Sequence, residues 1–410
     1  MLIAHKIALA PNNKQASYLA RAAGCARFAY NWALAQWHKQ YEACKLDARF
    51  PKPSQMALRR KLNSIKREEF PWMLEVTKCA PQLAIIQLGQ AFQNFFAGRA
   101  RYPQYRRRGR DDRFTISNDQ FSIEASRIRI PILGWVRMRE SLRFTGKVMS
   151  ATVSRVAGKW FVSIAVDTQD SSHLPKAENQ GAVGVDLGIT ALATLSTGEA
   201  IPGPKPHKAL LRRLRRYSRS LSRKLKCSRN RARAKQKLAK LHHRIACIRQ
   251  DALHKLTTDL TRRFHTIGIE DLNVRGMVKN RRLSRSISDM GFFETRRQLE
   301  YKTDMRGAHV VVADRFFASS KTCSCCAHKL DDLPLSVRQW ACPACGKEHD
   351  RDVNAAINLK NYAVSSTVSA CGGEGAGRCR KTKVKPSPMK QEANSKPPSG
   401  QICTDSDRFA

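Results

Sequence analysis

GAVGVDLGI, residues 181–189, and HTIGIEDL, residues 265–272, decide the fold of this chain. With side chains alternating across a strand, Val183, Val185 and Leu187 share one face, while Gly184, Asp186 and Gly188 share the other. The second stretch repeats the device: Ile267 and Ile269 bury one way, and Gly268 and Glu270 point the other. Strand-interior glycine weakens a sheet and marks close approach of a ligand or backbone, so each acid stands on a cleared face. Strands over 183–195, 265–272 and 308–314 alternate with helices, an α/β pattern for the second half of the chain.

Between the last strand and a third acid lie two C-x-x-C pairs, Cys323 with Cys326 and Cys342 with Cys345, fifteen residues separating the inner two. Each pair can place two thiolates on one face of a tight knuckle, and two knuckles complete the tetrahedron that Zn(2+) prefers. Four protein ligands leave no open position, so this zinc is structural. A redox dithiol needs one pair in a thioredoxin-like context, which is missing. Cys325 lies inside the first knuckle as a spare thiol.

The third acid follows in HDRDVNAAINL, residues 349–359. Asp350 reads as an N-cap and Asp352 falls in the first helical turn. Asp352, Ala355, Ala356 and Leu359 share one face, whose alanines let the helix press on a sheet. Taken alone, Asp352 reads equally well as a charge complementing the helix dipole. Together, Asp186, Glu270 and Asp352 suggest a site for two Mg(2+) ions about 4 Å apart, activating water and stabilising the leaving oxygen of a phosphodiester. Carboxylates are ligands of hard Mg(2+), and three cannot sit together without cations.

The composition fits a polyanionic partner. Among 410 residues, 75 Lys and Arg face 33 Asp and Glu, a net charge of +42, and such an excess repels itself unless nucleic acid offsets it. No apolar stretch reaches spanning length, so no membrane role is expected. The N-terminal segment is too short and interrupted for a secretory signal. A reducing cytoplasmic location follows, where the thirteen cysteines are metal ligands or thiols. Residues 205–250 carry eighteen Lys or Arg and no Asp or Glu. Leu210, Leu214, Tyr217, Leu221 and Leu225, then Leu241, Ile245 and Ile248, give this stretch two apolar faces, a basic helical hairpin. Arg212, Arg213 and Arg216 on it are candidate nucleic-acid contacts.

Nearer the start, residues 1–10 read as a strand that Pro11, Asn12 and Asn13 end. Leu19, Ala22, Ala26, Ala29, Ala33, Trp37 and Tyr41 then mark one helical face. Further helices begin at Ser54, an N-cap, and near Pro81. RARYPQYRRRGR, residues 99–110, interleaves aromatics with arginines, which makes Arg106, Arg107 and Arg108 candidate nucleic-acid contacts; a solvated loop is the alternative. A period of two from 113 to 167 marks a small antiparallel β domain, and 168–180 a polar linker. Beyond Tyr362 the chain has almost nothing to bury and is expected to be disordered over 363–410.

AGCARFAYNWAL, AFQNFFAGRARYPQYRRRG, GVDLGIT, IEDLNVRGM, KNRRLSRSISDMGFFETRRQLEYK, SSKTCSCC and CPACGKEHDRDVNAAINL, in this order over about the first 362 residues, resemble the TnpB (OrfB) family of transposon-encoded proteins, relatives of the type V CRISPR effectors. The resemblance implies a multidomain α+β fold. A wedge-like β-barrel (1–10 and 111–167) would carry an inserted helical recognition domain (11–110). An RNase H-like RuvC domain (181–320 and 347–362) would carry an inserted zinc ribbon (321–346). It implies catalysis by Asp186, Glu270 and Asp352 with Mg(2+), and Cys323, Cys326, Cys342 and Cys345 as zinc ligands. It further implies a guide RNA from the transposon end, double-stranded DNA as target, and cutting beside a transposon-adjacent motif by a monomer or dimer. TKCAPQ resembles the motif-reading segment, so Lys78 and Gln82, four apart, are candidate base contacts. Pro81 inside that segment and Ala327, where the family usually has glycine, are departures. Two other readings stand beside the guided endonuclease: a transposase performing strand transfer itself, which nothing in the chain demands, and a nuclease-inactive repressor, whose signature would be a lost acid.

Overall fold

Asn12 opens the first helix of this chain by a reciprocal cap: its side chain accepts from the Gln15 amide, and the Gln15 side chain accepts from the Asn12 amide. The computed structural model describes residues 1–47, 49–169, 174, 178–334 and 336–371, with side chains to Thr367. Residues Met1–Thr367 form one compact unit; of the second, Val368–Ala410, only the end of a helix is described.

In chain order the first half comprises β1 (Leu2–Ala8), α1 (Asn13–Leu46), α2 (Gln55–Ile65), α3 (Cys79–Phe96), β2 (Arg113–Ser117), β3 (Ser122–Glu124), β4 (Arg127–Ile130), β5 (Gly134–Arg137), β6 (Lys147–Val156) and β7 (Lys159–Asp167). β1 pairs along its length with β7, giving an antiparallel sheet in the order β1-β7-β6-β2, while β3, β4 and β5 form a second one. A closed barrel is not found among the described residues: the two sheets share one core and are joined in backbone pairing at the Leu9–Met138 bridge, but no ladder joins β2 to β3. Helices cover the apolar face instead: Leu19, Leu34, Leu88 and Phe92 share one core with Ile7, Phe114, Val153 and Val162. A sheet whose apolar face is covered by helices need not close on itself.

The second half runs β8 (Ala182–Asp186), β9 (Ala193–Leu195), β10 (Ala200–Ile201), α4 (Pro206–Ala209), α5 (Leu211–Ser222), α6 (Arg229–Arg263), β11 (Thr266–Glu270), α7 (Val274–Met277), α8 (Ser284–Met290), α9 (Phe292–Arg306), β12 (His309–Ala313), β13 (Gln339–Ala341), β14 (Glu348–Asp350) and α10 (Arg351–Cys371). The central sheet has the order β10-β9-β8-β11-β12, with β8, β11 and β12 parallel. The strand expected over 183–195 is two strands: β8 ends at Asp186, which pairs antiparallel with Thr194. Gly188 lies in the bend, where the chain leaves the ladder. α5 and α6 form the basic hairpin around a small core of Leu214, Leu241 and Ile245. Leu225, expected on its apolar face, lies past the end of α5 and is 81% exposed. The tail expected to lack structure from residue 363 begins as helix. α10 continues to Cys371 because Ala363 is fully buried where the helix lies on β11; residues 372–410 lie outside the described residues.

Candidate metal centre and carboxylate site

Both strand glycines serve the approach of a backbone. A Cβ at Gly184 would overlap the carbonyl oxygen of Ala356, and one at Gly268 that of Leu359. α10 therefore lies with its main chain directly on β8 and β11, two residues before each strand's acid. Ala355, Ala356 and Leu359 are buried in that contact. Asp350 starts the helix, its Oδ1 accepting from the amides of Asp352 and Val353, both at 3.0 Å. Asp352 is thereby placed in the first turn near Asp186 and Glu270. We expect Gly184→Ala to force helix and sheet apart and to cost at least about 1–3 kcal/mol. Urea unfolding checks this, and an unchanged midpoint would contradict the contact.

The electrostatics follow from that placement. Burial first, then the charges of Glu270 and Asp352, push the Asp186 carboxyl up to about 7, with Arg351 and Arg338 pulling the other way. Two partners escaped the sequence reading. Glu270 accepts a hydrogen bond from the buried Ser319 hydroxyl, and Asp352 pairs with the Arg338 guanidinium at 3.0 Å. The next residue, Asp271, is gripped by Arg296 and Arg315, each at 2.6 Å. The three acids are neighbours that do not converge to chelating distance. Among the described residues, the set of three or more metal-type side chains whose ligand atoms all lie within 4.8 Å is Cys323, Cys326, Cys342 and Cys345. As a donor set the acids nevertheless suit a hard divalent cation, since a carboxyl raised by burial and then by two neighbouring carboxylates gains from a cation that neutralises all three.

The four cysteines fit a tetrahedral metal. Cys323 Sγ lies 3.7 Å from Cys345 Sγ, and Cys326 Sγ 3.6 Å from Cys342 Sγ. Zn–S bonds of about 2.3 Å demand an S···S edge of about 3.8 Å. Burial opposes ionisation of Cys323, but amides of Cys326 and Cys325 and the His349 ring outweigh it and bring the thiol down to about 5, toward the metal-binding form. His349 Nε2 lies 3.1 Å from Cys323 Sγ, and the ring packs on Trp340 with centroids 4.8 Å apart. The loop entering this cluster is tied to α10 by two buried asparagines. Asn354 accepts from the Ser324 amide and donates to the Thr322 carbonyl, and Asn358 donates to the carbonyls of Ser319 and Thr322. Asparagines four apart in an alanine-rich helix were the available signal for this anchor.

The surface candidates divide. Arg107, Arg108, Arg212, Arg213 and Arg216 are exposed, as is Lys78 beside the half-buried Gln82. Arg213 and Arg216 flank the Tyr217 ring at 5.5 and 5.6 Å. Arg106 differs: its guanidinium lies 3.8 Å over Tyr30 and donates to Gln87 at 2.9 Å, so its charge is used inside the protein. Tyr102 likewise packs edge-on to Phe92 and Phe95.

Residues 162–281 match a family model for OrfB described as "Probable transposase", and residues 292–359, which include the cysteine cluster, match "Cas12f1-like, TNB domain". A Streptomyces pristinaespiralis protein named "Putative RNA-guided DNA endonuclease" is 39% identical over 378 residues, 90% of this chain and 90% of that one. The chain belongs to the OrfB (TnpB) family. Another relative, "Putative RNA-guided DNA endonuclease InsQ" of Escherichia coli, is 35% identical across 90% of this chain and 94% of its own. The OrfB "Helix-turn-helix domain" model matches residues 1–45, where this chain forms a strand and one uninterrupted helix. The fold resembles a solved chain in "Cryo-EM structure of the Cas12f1-sgRNA-target DNA complex", with a TM-score of 0.52 at 13% identity over 85% of this chain and 83% of that one. Among the described residues, no helix is long and apolar enough to cross a membrane.

Proposed function

We propose that this chain is an RNA-guided, Mg(2+)-dependent DNA endonuclease of an insertion sequence, cutting beside a transposon-adjacent motif through Asp186, Glu270 and Asp352. The observation that carries the reading is the seating of α10 on Gly184 and Gly268, which gathers three acids from distant parts of the chain, with Asp186 pushed up to about 7 by burial and then by Glu270 and Asp352. Mg(2+) bound there would supply a nucleophilic water and stabilise the leaving oxygen. The chain's own residues set the stage. Ser319 orients Glu270, Asp350 fixes the first turn that bears Asp352, and Arg338 balances Asp352 until a cation takes its place. Cys323, Cys326, Cys342 and Cys345 would hold a structural zinc that keeps Arg338 and α10 together. The exposed arginines of α5, on an acid-free hairpin, would hold RNA or DNA phosphates. The names of the Streptomyces and E. coli relatives support guidance by RNA. All three acids are present, which speaks against the nuclease-inactive repressor.

The test is purification of the full chain from cells that also carry its transposon end. A structured RNA is expected to copurify, and Mg(2+)-dependent cutting of plasmid DNA should require that RNA and follow a change in its guide segment. Equally sequence-specific cutting by RNA-free protein would overturn guidance.

A further inference from the structure

A cavity of about 250 Å³ opens directly beside Glu270 and is not used by the carboxylate chemistry. Its floor is apolar, formed by Leu187, Ile269, Leu272 and Phe292, and Leu187 and Ile269 each adjoin an acid of the site in sequence. Phe293 forms part of the lining, yet it is 68% exposed while its neighbour Phe292 is 2% exposed. An aromatic ring left in water at the mouth of an apolar hollow is an unusual expense for a chain of this polarity.

The charges around the hollow decide what would enter it. Arg296 and Arg315 line it, but both are tied to Asp271 at 2.6 Å, and Arg296 also to Glu300 at 2.9 Å. Those two guanidinium charges are thus matched by two carboxylates, whereas the exposed Arg275 of the same lining is available to the phosphate of an entering strand. What remains is planar guanidinium, an exposed phenyl ring and an aliphatic floor, the surroundings in which an unpaired base stacks. The volume lies below that of cavities for drug-sized ligands and suits a single ring system.

We infer that this cavity receives one unstacked nucleobase of the DNA strand whose neighbouring phosphate lies at the carboxylates, with Phe293 as its stacking partner. The inference rests on the nuclease reading of Asp186, Glu270 and Asp352, and it adds to that reading a stacking role for Phe293 beside the bond to be cut.

The experiment uses the full chain with its copurified RNA, in Ca(2+) to hold off cutting, and single-stranded DNA carrying 2-aminopurine at successive positions. One position is expected to be quenched on binding, and Phe293→Ala should abolish the quenching while Phe293→Trp keeps it. Affinity is measured in parallel. Phe293→Ala is expected to weaken binding by about tenfold, an abasic site at the quenched position should weaken the parent equally, and the two losses should not add. Quenching at no position, quenching indifferent to Phe293, or losses that add would each overturn the cavity's role. Cutting by Asp186→Asn separates the two ideas. If that variant still cuts, the catalytic assignment falls and the quenching pattern still decides the cavity. If it is inert and the quenching pattern is null, the cavity alone falls.

Discussion

Asp186→Asn is expected to lower Mg(2+)-dependent cutting by about a thousandfold or more while leaving nucleic-acid binding intact, and to make the metal-free protein more stable at pH 8. The first effect follows from removing an anionic ligand worth several kcal/mol in the transition state, each 1.4 kcal/mol being tenfold in rate. The second follows from the elevated carboxyl, raised by burial, then by Glu270 and Asp352, from its ordinary 3.8 up to about 7. A group whose folded value lies above its unfolded value contributes stability that is complete below the unfolded value. That stability is lost as pH rises through the folded one. Between pH 4 and 8 the parent therefore gives up on the order of 4 kcal/mol at this residue, whereas asparagine has no proton to lose. Urea unfolding in EDTA at pH 5 and pH 8 reads the difference. A stability gap between variant and parent that does not widen with pH would contradict the burial of Asp186 beside the other two acids. Metal affinity should change in the opposite sense, strengthening with pH as Asp186 ionises.

With zinc held by the four cysteines as proposed, its removal is expected to have the second large effect. The ribbon's apolar cluster consists of Cys323, Leu333, Trp340 and Cys342, with Leu330 and Val337 partly buried against it. That is too little surface to order the segment by itself. Structural zinc supplies about 10–16 kcal/mol in small zinc-finger peptides, so a strong chelator or Cys342→Ser should unfold residues 321–346 locally. Arg338 and Asp350 then lose their place, and with them the first turn of α10. The expected result is protease sensitivity confined to the ribbon, with cutting lost and the N-terminal core intact. Stoichiometric zinc release without any change in proteolysis or cutting would show that the ribbon does not position Asp352.

The sequence revealed what depends on short-range pattern. Glycine two residues before an acid in each of two strands, Asp350 at a helix start and paired C-x-x-C knuckles all stand in the chain with their physical reason attached. It did not show what the glycines were cleared for, since a ligand and a helix backbone leave the same trace. Nor could periodicity show that β8 turns back at Asp186, because β9 continues an apolar run of similar character. Arg338 and Ser319 carry no local signature; they matter only because the ribbon folds back onto α10. Arg106 shows the converse: its composition suggested nucleic acid, and its neighbours Tyr30 and Gln87 claim it. Periodicity was equally silent on closure: no closed barrel is found among the described residues, where the helices inserted between β1 and β2 share the core of both sheets.

The contact of α10 with Gly184 and Gly268 has a consequence for how such proteins diverge. The spacing between the helix and the two strands is set by main chain against main chain, with only the Ala363 methyl group beside it at Gly268. Exchanges of Val, Ile or Leu elsewhere in the core alter volumes but do not enter that spacing. Asp352 can thus keep its distance from Asp186 and Glu270 while most of the surrounding sequence drifts, and the two glycines are where that freedom ends.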